Sequence, residues 1–279
     1  MSLVRLERAD GVARVVLCRC GMQNALVPEL LDDLLAALAL LRNDTDCRAV
    51  LLAAEGPAFS IGGDMRRFQR EAANAASLQA YAAGLVGKLN EAILALIDLP
   101  QPVVAAVHGV VTGGSIGLVL AADLIYLAPQ VVFKAHYATA GFGPDGGWTA
   151  LLGRTAGVHR AAAALLLNRS IRADDALAWG LASEVVPADR LQQTAEAAAH
   201  RMAAYPLGSL RAAKRLLWGD RAQLAADLDA ERRHFLELIA QPAAVQGVAA
   251  FLRDFRDYPD DSRAHDASEV DSAPANSAD

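Results

Sequence analysis

The amino-acid sequence predicts an α/β fold with a helical C-terminal part. Short apolar runs alternate with helical segments over the first half of the 279-residue chain. This alternation favours parallel strands joined by right-handed crossover connections. From Thr149 onward the apolar residues recur mainly at the helical period. A chain of this length, with 54% hydrophobic residues, can bury a complete core without disulfides or metals.

The predicted strands of the first half are short apolar runs bounded by turn residues. Asp10-Gly11 is a turn signal that opens the first strand, and Glu55-Gly56-Pro57 ends the second. The predicted strands are Val12–Cys18, Ala49–Ala53, Val103–Val107, Leu124–Leu127 and Val131–Phe133.

Helical patterns separate these strands. Pro28–Leu41 carries a stripe of leucines on one face, and its proline suits the first turn of a helix. Residues 75–97 form an Ala/Leu-rich helix, and a short apolar helix to Ala122 follows the glycine-rich run Gly109–Gly117. Gly141–Gly147 is predicted to be a second glycine-rich loop.

The second half is predicted to be mainly helical, with Ser183–Val186 as its extended segment. Pro206 marks a boundary, so we divide the chain into a core (1–205), a helical region (206–258) and a tail (259–279). The tail is acidic, contains almost no large apolar residues and is predicted to be disordered. Helices are predicted at His159–Leu167, Asp174–Gly180, Asp189–Ala204, Leu207–Leu217, Ala222–Ile239 and Ala243–Phe255.

Composition argues against several classes of protein. The net charge of −6 and the lack of a basic run argue against nucleic-acid binding. No apolar run reaches about 18 residues, so no membrane span is predicted. No basic and apolar leader is visible at the N-terminus, and we expect a cytoplasmic protein. The cysteines Cys18, Cys20 and Cys47 form no metal-binding pattern, so no metal is expected.

Three glycine-containing loops can be compared with known functional motifs. Gly113–Gly117 has the G-x-S-x-G spacing, which makes a serine esterase with Ser115 as nucleophile one hypothesis. Gly141–Gly146 has the G-x-G-x-x-G spacing, but Pro144 interrupts it and no acidic residue follows at the distance a dinucleotide site requires. Ala58–Met65 matches no metal or phosphate pattern by itself.

Taken together, these loops resemble the crotonase (enoyl-CoA hydratase/isomerase) superfamily. The resemblance covers about residues 3–258, and its motifs occur in the family's order. The matching segments are Asn24-Ala25-Leu26, Ala58–Met65, Gln101–Gly109, Asp123–Tyr126, Gly141–Gly147, Leu166–Arg169, Trp179–Leu181 and Val185–Pro187.

The resemblance implies a spiral of ββα units with C-terminal helices that form a trimerisation region, hence a homotrimer or a dimer of trimers. It also implies an acyl-CoA thioester substrate and no separate cofactor. The two backbone donors of the family's oxyanion hole fall on Gly63 and Gly114. CoA is expected to pass the loop that carries Phe59, Ile61, Met65 and Arg66, and Arg256 is a further candidate from a neighbouring subunit.

This sequence departs from the family pattern where hydratases carry two glutamates. Those positions fall on Gly117 and Tyr137, neither of which can act as a carboxylate acid or base. Asp145 occupies the place where isomerases of the family carry the aspartate that transfers the proton. The resemblance therefore implies an enoyl-CoA isomerase that uses Asp145, with Tyr137 as a hydrogen-bond donor to Asp145 or to substrate.

Other hypotheses stay open at this point. A hydratase with an unusual acid or base shares the same scaffold. A 4-chlorobenzoyl-CoA dehalogenase-like enzyme would use Asp145 as nucleophile, although Tyr137 replaces its tryptophan and its histidine position falls near Asn90. A serine esterase and a non-catalytic acyl-CoA binder are the alternatives outside this chemistry. His108 and His136 lie close to the loops, and we assign neither a catalytic role.

Overall fold

A computed structural model describes residues 2–255 of the protein. Arg256 and the predicted disordered tail, 259–279, lie outside the described residues. The strands are β1 (Val4–Ala9), β2 (Val12–Leu17), β3 (Ala49–Ala54), β4 (Val103–Val107), β5 (Val110–Thr112), β6 (Leu124–Leu127), β7 (Val132–Lys134), β8 (Ile171–Arg172) and β9 (Glu184–Val185).

Two sheets organise these strands. The larger sheet has the order β1-β2-β3-β4-β6-β9, in which β1 is antiparallel to β2 and the other neighbours are parallel. The smaller sheet has the order β5-β7-β8. Its first strand, β5, follows β4 closely in the sequence. Every residue of β3 and β4 is buried, which is typical of strands that helices cover on both faces.

The helices wrap around this sheet and fill the C-terminal part of the chain. They are α1 (Pro28–Arg42), α2 (Met65–Glu71), α3 (Ala75–Asp98), α4 (Ile116–Leu120), α5 (Tyr137–Ala140), α6 (Leu152–Ala156), α7 (Val158–Leu166), α8 (Ala173–Ala178), α9 (Leu191–Ala203), α10 (Leu207–Trp218), α11 (Arg221–Ile239) and α12 (Pro242–Asp254). The predicted α/β class is confirmed, and the predicted strands and long helices all occur near their expected positions.

Several short elements were not predicted from the sequence. Strand β1 has the sequence VRLERA, whose charged residues hide the alternating pattern of an edge strand. Helix α2 has only seven residues, and Asp64 caps its N-terminus by accepting a hydrogen bond from the N–H of Arg67. Strand β5 lies inside what the sequence suggested was a glycine-rich run.

Helix α3 is the central helix of the fold. Within residues 2–255 it is the single continuous helix that is long and apolar enough to cross a membrane, and half of its apolar window is buried inside the protein. Helices α11 and α12 meet that criterion only when taken together, and they meet at an angle of 88°. Helix α3 packs against α1 and α11, as the core helix of an α/β domain does.

Lys214 anchors α10 to the end of the sheet. Its side chain is 6% exposed, and its Nζ lies 2.9 Å from Asp123 Oδ2 and donates to the carbonyl oxygens of Leu96 and Gln101 at 3.1 Å. Burial lowers the pKa of Lys214, and the negative charge of Asp123 opposes that shift. Trp218 donates its Nε1–H to the other oxygen of Asp123 at 2.9 Å.

Replacing Lys214 by alanine is expected to lower the free energy of unfolding by about 3–5 kcal/mol, because the half-buried Asp123 carboxylate loses its cation and two backbone oxygens lose their donor. Urea denaturation monitored by circular dichroism measures this change. Lys88→Ala is the matched control, since Lys88 forms an exposed ion pair with Asp32 and should cost no more than about 1 kcal/mol. Equal losses for the two variants would contradict a structural role for the buried pair.

Candidate active site

One cleft collects most of the residues that the sequence analysis selected. Its volume is about 580 Å³, including the open space at its mouth. Seven segments contribute to its wall, from the loop before α1 to the C-terminal helix α12. The lining residues are Leu26, Ile61, Gly63, Met65, Leu85, Leu89, Thr112, Gly113, Gly114, Ala135, His136, Tyr137, Ala140, Phe142, Asp145, Phe235 and Phe251.

Asp145 and Tyr137 form a buried pair in this cleft. They are 7% and 6% exposed, and the Tyr137 hydroxyl donates a short hydrogen bond to Asp145 Oδ1. The same hydroxyl also lies 3.1 Å from the backbone oxygen of Asp145. Tyr137 is the first residue of α5, which begins after His136 in a left-handed conformation and ends at Gly141. The backbone of α5 thus positions Tyr137, and the Gly141–Gly147 loop positions Asp145.

The environment of Asp145 makes its carboxyl an unusually strong base. Burial is the largest influence and raises its pKa to about 7, the hydrogen bond from Tyr137 acts in the opposite direction, and the negative charge of Glu231 raises the pKa further. Burial likewise raises the pKa of Tyr137 well above its usual value, and the neighbouring carboxylate adds to the effect. Asp145 can therefore gain and release a proton near neutral pH.

Gly114 lies directly against Asp145. A Cβ atom placed on Gly114 would stand 2.8 Å from Asp145 Oδ1 and 2.6 Å from Leu89 Cδ2. Gly114 is in the short turn Gly113–Ser115, whose first N–H groups have no partner within the turn itself. Trp148 fixes this turn by donating its Nε1–H to the Gly113 oxygen at 2.7 Å. A ligand atom beside Gly114 would meet both a backbone donor and the Asp145 carboxyl.

Gly63 faces the cleft from the opposite loop. The loop is tied to the segment before α1, because Leu26 N–H donates to the Gly62 oxygen at 2.7 Å and Asp64 N–H donates to the Leu26 oxygen at 3.1 Å. Gly62 has a φ of +74°, and a Cβ on it would stand 2.5 Å from the Thr112 oxygen. The close approach of these two loops therefore depends on the absence of a side chain at Gly62.

Glu231 of α11 was not predicted as a site residue. It is 4% exposed and accepts hydrogen bonds from the turn that follows Asp145. The sequence carried a signal for it, since α11 buries Leu224, Leu228, Phe235 and Ile239 at helical spacing. Glu231 occupies the middle of that stripe, and a carboxylate at a core position requires specific partners.

Some of the other predicted residues line the cleft and some do not. Ile61 and Met65 line the cleft, as expected for residues that contact an acyl-CoA. Phe59 does not: it is completely buried in the core, so the prediction that it contacts CoA is wrong. The reason is that Phe59 follows β3, and its N–H donates to the His108 oxygen at 3.0 Å, which keeps the residue inside the sheet layer. Arg66 is half-buried in α2 and is not among the lining residues.

Ser115 has none of the geometry of an esterase nucleophile. It is fully buried, and within residues 2–255 its Oγ donates only to backbone oxygens, those of Thr112 at 2.7 Å and Ser60 at 3.3 Å. A catalytic serine needs a base within hydrogen-bond reach. In the same part of the chain, no group of three or more His, Cys, Asp or Glu side chains is placed to hold a metal ion.

A comparison with known protein families agrees with this geometry. Residues 7–257 match the family model described as enoyl-CoA hydratase/isomerase. The chain belongs to the enoyl-CoA hydratase/isomerase family. The resemblance to the crotonase superfamily is thereby confirmed, and members of this family are enzymes.

Individual relatives within the family carry different activities in their names. A trans-2-decenoyl-[acyl-carrier-protein] isomerase from Streptococcus mutans is 29% identical over 75% of this chain and 79% of its own. A 4-chlorobenzoyl coenzyme A dehalogenase from an Arthrobacter species is 28% identical over 89% and 90%. The protein named "Probable enoyl-CoA hydratase EchA12" from Mycobacterium tuberculosis is 33% identical over 83% of both chains.

Solved structures of the family share the architecture. An enoyl-CoA hydratase/isomerase from Pseudoalteromonas atlantica superimposes with a TM-score of 0.78 at 26% identity, covering 90% of this chain and 97% of its own. An enoyl-CoA hydratase from Bacillus halodurans gives a TM-score of 0.83 at 23% identity over 89% and 100%, a likeness of fold alone. The predicted crotonase-like fold is thus confirmed.

Neither of the two positions that the family resemblance assigns to hydratase glutamates carries a carboxylate here, and the first of them has no room for a side chain. A Cβ on Gly117 would stand 2.2 Å from the Gly146 oxygen and 2.4 Å from Ile93 Cδ1. Tyr137 fills the second position with a phenol. Asn90, near the histidine position of the dehalogenases, does not line the cleft and instead donates its Nδ2–H to the Leu228 oxygen at 3.0 Å.

Proposed function

We propose that the protein is an enoyl-CoA isomerase that moves a double bond by shifting a single proton. The observation that carries this proposal is the carboxyl of Asp145, the single one that lines the cleft within residues 2–255, which is buried against Gly114. Conversion of a 3-enoyl-CoA to a 2-enoyl-CoA needs one base that removes a proton from C2 and returns it to C4. A carboxyl with a pKa of about 7 suits both halves of that exchange.

The thioester oxygen would be held between the backbone N–H groups of Gly63 and Gly114. Both glycines line the cleft, and Gly114 adjoins the Asp145 carboxyl. Negative charge develops on this oxygen when C2 loses its proton, and a fixed donor stabilises it. Loss of one such donor typically costs about 2.7–4 kcal/mol of transition-state stabilisation. Tyr137 would orient the Asp145 carboxyl through the hydrogen bond that it donates.

The walls of the cleft support an acyl substrate without charged groups near its reacting carbons. Leu85, Leu89, Phe142 and Phe235 contribute apolar surface to the cleft that Asp145 lines. The isomerase name of the Streptococcus mutans relative supports the same reaction type. CoA itself would lie along the loop that carries Ile61 and Met65, with no separate cofactor required.

Two other reactions of the family fit less well. Hydration requires an acid and a base for water, and Gly117 and Tyr137 supply neither carboxylate. Dehalogenation by Asp145 would match the aromatic partner at Tyr137, but Asn90 cannot serve as the base for a water molecule. The Arthrobacter relative makes this second reaction worth assaying beside the first.

The decisive assay compares purified protein on 3-enoyl-CoA, 2-enoyl-CoA and 4-chlorobenzoyl-CoA. Isomerisation of the first substrate would support the proposal. Hydration of the second, or release of chloride from the third, would replace it with the corresponding reaction. Tight binding of acyl-CoA without turnover of any of the three would instead indicate a non-catalytic binding protein.

The pH dependence of isomerisation gives a specific expectation. Because Asp145 must be ionised to accept a proton, kcat/KM should fall about tenfold per pH unit below an apparent pKa of about 7. Initial rates between about pH 5 and pH 8.5 measure this limb. A profile that is flat down to about pH 5 would contradict a buried base with a raised pKa.

We also propose that copies of this chain associate into the trimer, or the dimer of trimers, that the family resemblance implies. Large apolar side chains are exposed on α7 and α10, and apolar surface of this kind is typical of protein interfaces. These side chains are Val158 (70% exposed), Leu166 (77%), Leu216 (81%) and Leu217 (86%). A cytoplasmic location remains a prediction from the sequence.

A further inference from the structure

Glu231 is a buried carboxylate whose partners are all hydrogen-bond donors from one turn. Its Oε2 accepts from Gly147 N–H at 2.7 Å. Its Oε1 accepts from Thr149 N–H at 2.6 Å, Thr149 Oγ1–H at 2.5 Å and Ala150 N–H at 2.8 Å. None of its partners within residues 2–255 is a cationic side chain. The carboxylate acts as an acceptor only, as the ionised form does.

The turn that Glu231 holds is the one that immediately follows Asp145. Gly146 and Gly147 have φ values of +61° and +93°, a region that favours glycine. A Cβ on Gly146 would stand 2.3 Å from the Gly114 oxygen, so this turn lies directly on the turn that carries Gly114. A small displacement of the 146–150 segment would therefore change the distance between Asp145 and Gly114.

We propose that Glu231 is a positioning residue, which clamps the turn of residues 146–150 onto α11 and so sets the placement of Asp145 against Gly114. This inference rests on the proposed role of Asp145 as the proton-transferring base. Glu231 is not among the residues that line the cleft, and it acts through its hydrogen bonds to the 147–150 segment and through its charge. It lies on a helix 86 residues downstream of Asp145, which lets the C-terminal part of the chain control the base.

The charges around Asp145 indicate how Glu231 also affects the pKa of that carboxyl. Tyr137 faces it from α5 and donates a hydrogen bond, and Glu231 faces it from α11 with a negative charge. His136 lines the same cleft, and burial lowers its pKa to about 4, so it is neutral near pH 7. Among the lining residues that α3 and the Gly113–Ser115 turn contribute, Leu85, Leu89, Gly113 and Gly114, none is charged. Within residues 2–255, Glu231 is thus the negative charge that raises the pKa of Asp145.

The test uses Glu231→Gln, which keeps the size of the side chain and removes its charge. The apparent pKa of the acidic limb of kcat/KM should fall by about one unit, because a like charge that disfavoured ionisation of Asp145 is gone. The activity above that limb should fall about tenfold or more, since the amide Nε2 cannot accept from Gly147 N–H and the base is weaker. A residue with a merely structural role would lower activity without moving the pH profile.

Two further variants and one control separate the effect of charge from that of hydrogen bonding. Thr149→Val removes only the hydroxyl donor to Oε1 and should leave the apparent pKa unchanged. Glu231→Asp keeps the charge but is one methylene shorter, so it should keep the pKa near the wild-type value while activity falls. Asp227→Asn removes an exposed carboxylate on the same helix, paired with Arg154, and should change neither quantity.

A direct titration keeps this inference independent of the assay. The carboxyl of Asp145 can be followed by ¹³C NMR in protein labelled with ¹³C-aspartate, and Asp145→Asn identifies its signal. A pKa that falls in Glu231→Gln supports the inference even if wild-type protein isomerises no substrate, in which case only the proposed reaction fails. An unchanged pKa in a folded Glu231→Gln protein would overturn it, whatever the activity.

Discussion

Asp145→Asn is expected to lower kcat/KM for isomerisation of a 3-enoyl-CoA by about 100- to 10,000-fold, the usual contribution of a general base. The amide keeps the size of the side chain, but it cannot accept the proton from C2. The carboxyl of Asp145 is the only one that lines the cleft within residues 2–255, so no second base can replace it there. Steady-state kinetics on the purified variant measures the loss.

Thermal unfolding shows whether such a loss is chemical rather than structural. The unfolded carboxyl ionises near pH 4, whereas the buried one is held protonated to about pH 7. Asp145 therefore lowers the stability of the folded state as pH rises through this window, and the neutral amide does not. Asp145→Asn should melt no lower than wild type at about pH 8. A folded variant with undiminished isomerase activity would show that Asp145 is not the base.

Tyr137→Phe is expected to have a smaller effect than Asp145→Asn. It retains the carboxyl but removes the hydrogen bond that favours its ionised form. The acidic limb of the pH profile should therefore move to higher pH, with activity intermediate between those of wild type and Asp145→Asn.

Gly117→Glu is expected to disrupt the protein rather than convert it into a hydratase. Even the Cβ atom would stand 2.2 Å from the Gly146 oxygen, and this contact is with backbone rather than a flexible side chain. The carboxylate would also be buried without a cation. We expect the free energy of unfolding to fall by about 3 kcal/mol or more, with loss of isomerase activity.

Gly84→Ala is the matched control for this substitution. Gly84 lies inside α3, and nothing stands within 4 Å of a Cβ placed on it. Alanine there should stabilise the helix by about 0.5–1 kcal/mol. Urea denaturation of both variants and a hydratase assay on 2-enoyl-CoA test the expectation. A stable Gly117→Glu protein that hydrates 2-enoyl-CoA would show that the 145–147 loop adapts easily, and would weaken the case against hydration.

The parts of the fold that could be predicted are those whose local pattern is strong. The leucine stripe of Pro28–Arg42 and the buried run of Ala49–Ala54 specify their elements without reference to the rest of the chain. Strand β1 could not be recognised in this way, because five of its six residues are at least partly exposed and its position depends on pairing with β2. Ile171–Arg172 is too short to have a period.

Some residues of the candidate site could also be predicted from local motifs, and others could not. Gly63, Gly114, Tyr137 and Asp145 could be selected because each lies in a recognisable loop motif, and all four line the cleft. Phe59 was misplaced because a motif fixes neighbours in sequence but not the direction in which a side chain points. Phe235 and Phe251 complete the cleft from α11 and α12, far from any motif, so only tertiary structure could reveal them.

The clamp between Glu231 and the turn after Asp145 has a consequence for protein synthesis. The ribosome makes the Asp145 loop long before it makes α11, and N-terminal parts of a chain generally begin to fold first. Until Glu231 emerges, Gly147, Thr149 and Ala150 lack the acceptor for their N–H groups, and until Phe251 emerges the cleft lacks a wall. The proposed base therefore acquires its complete surroundings only after the last helices have been made and have docked.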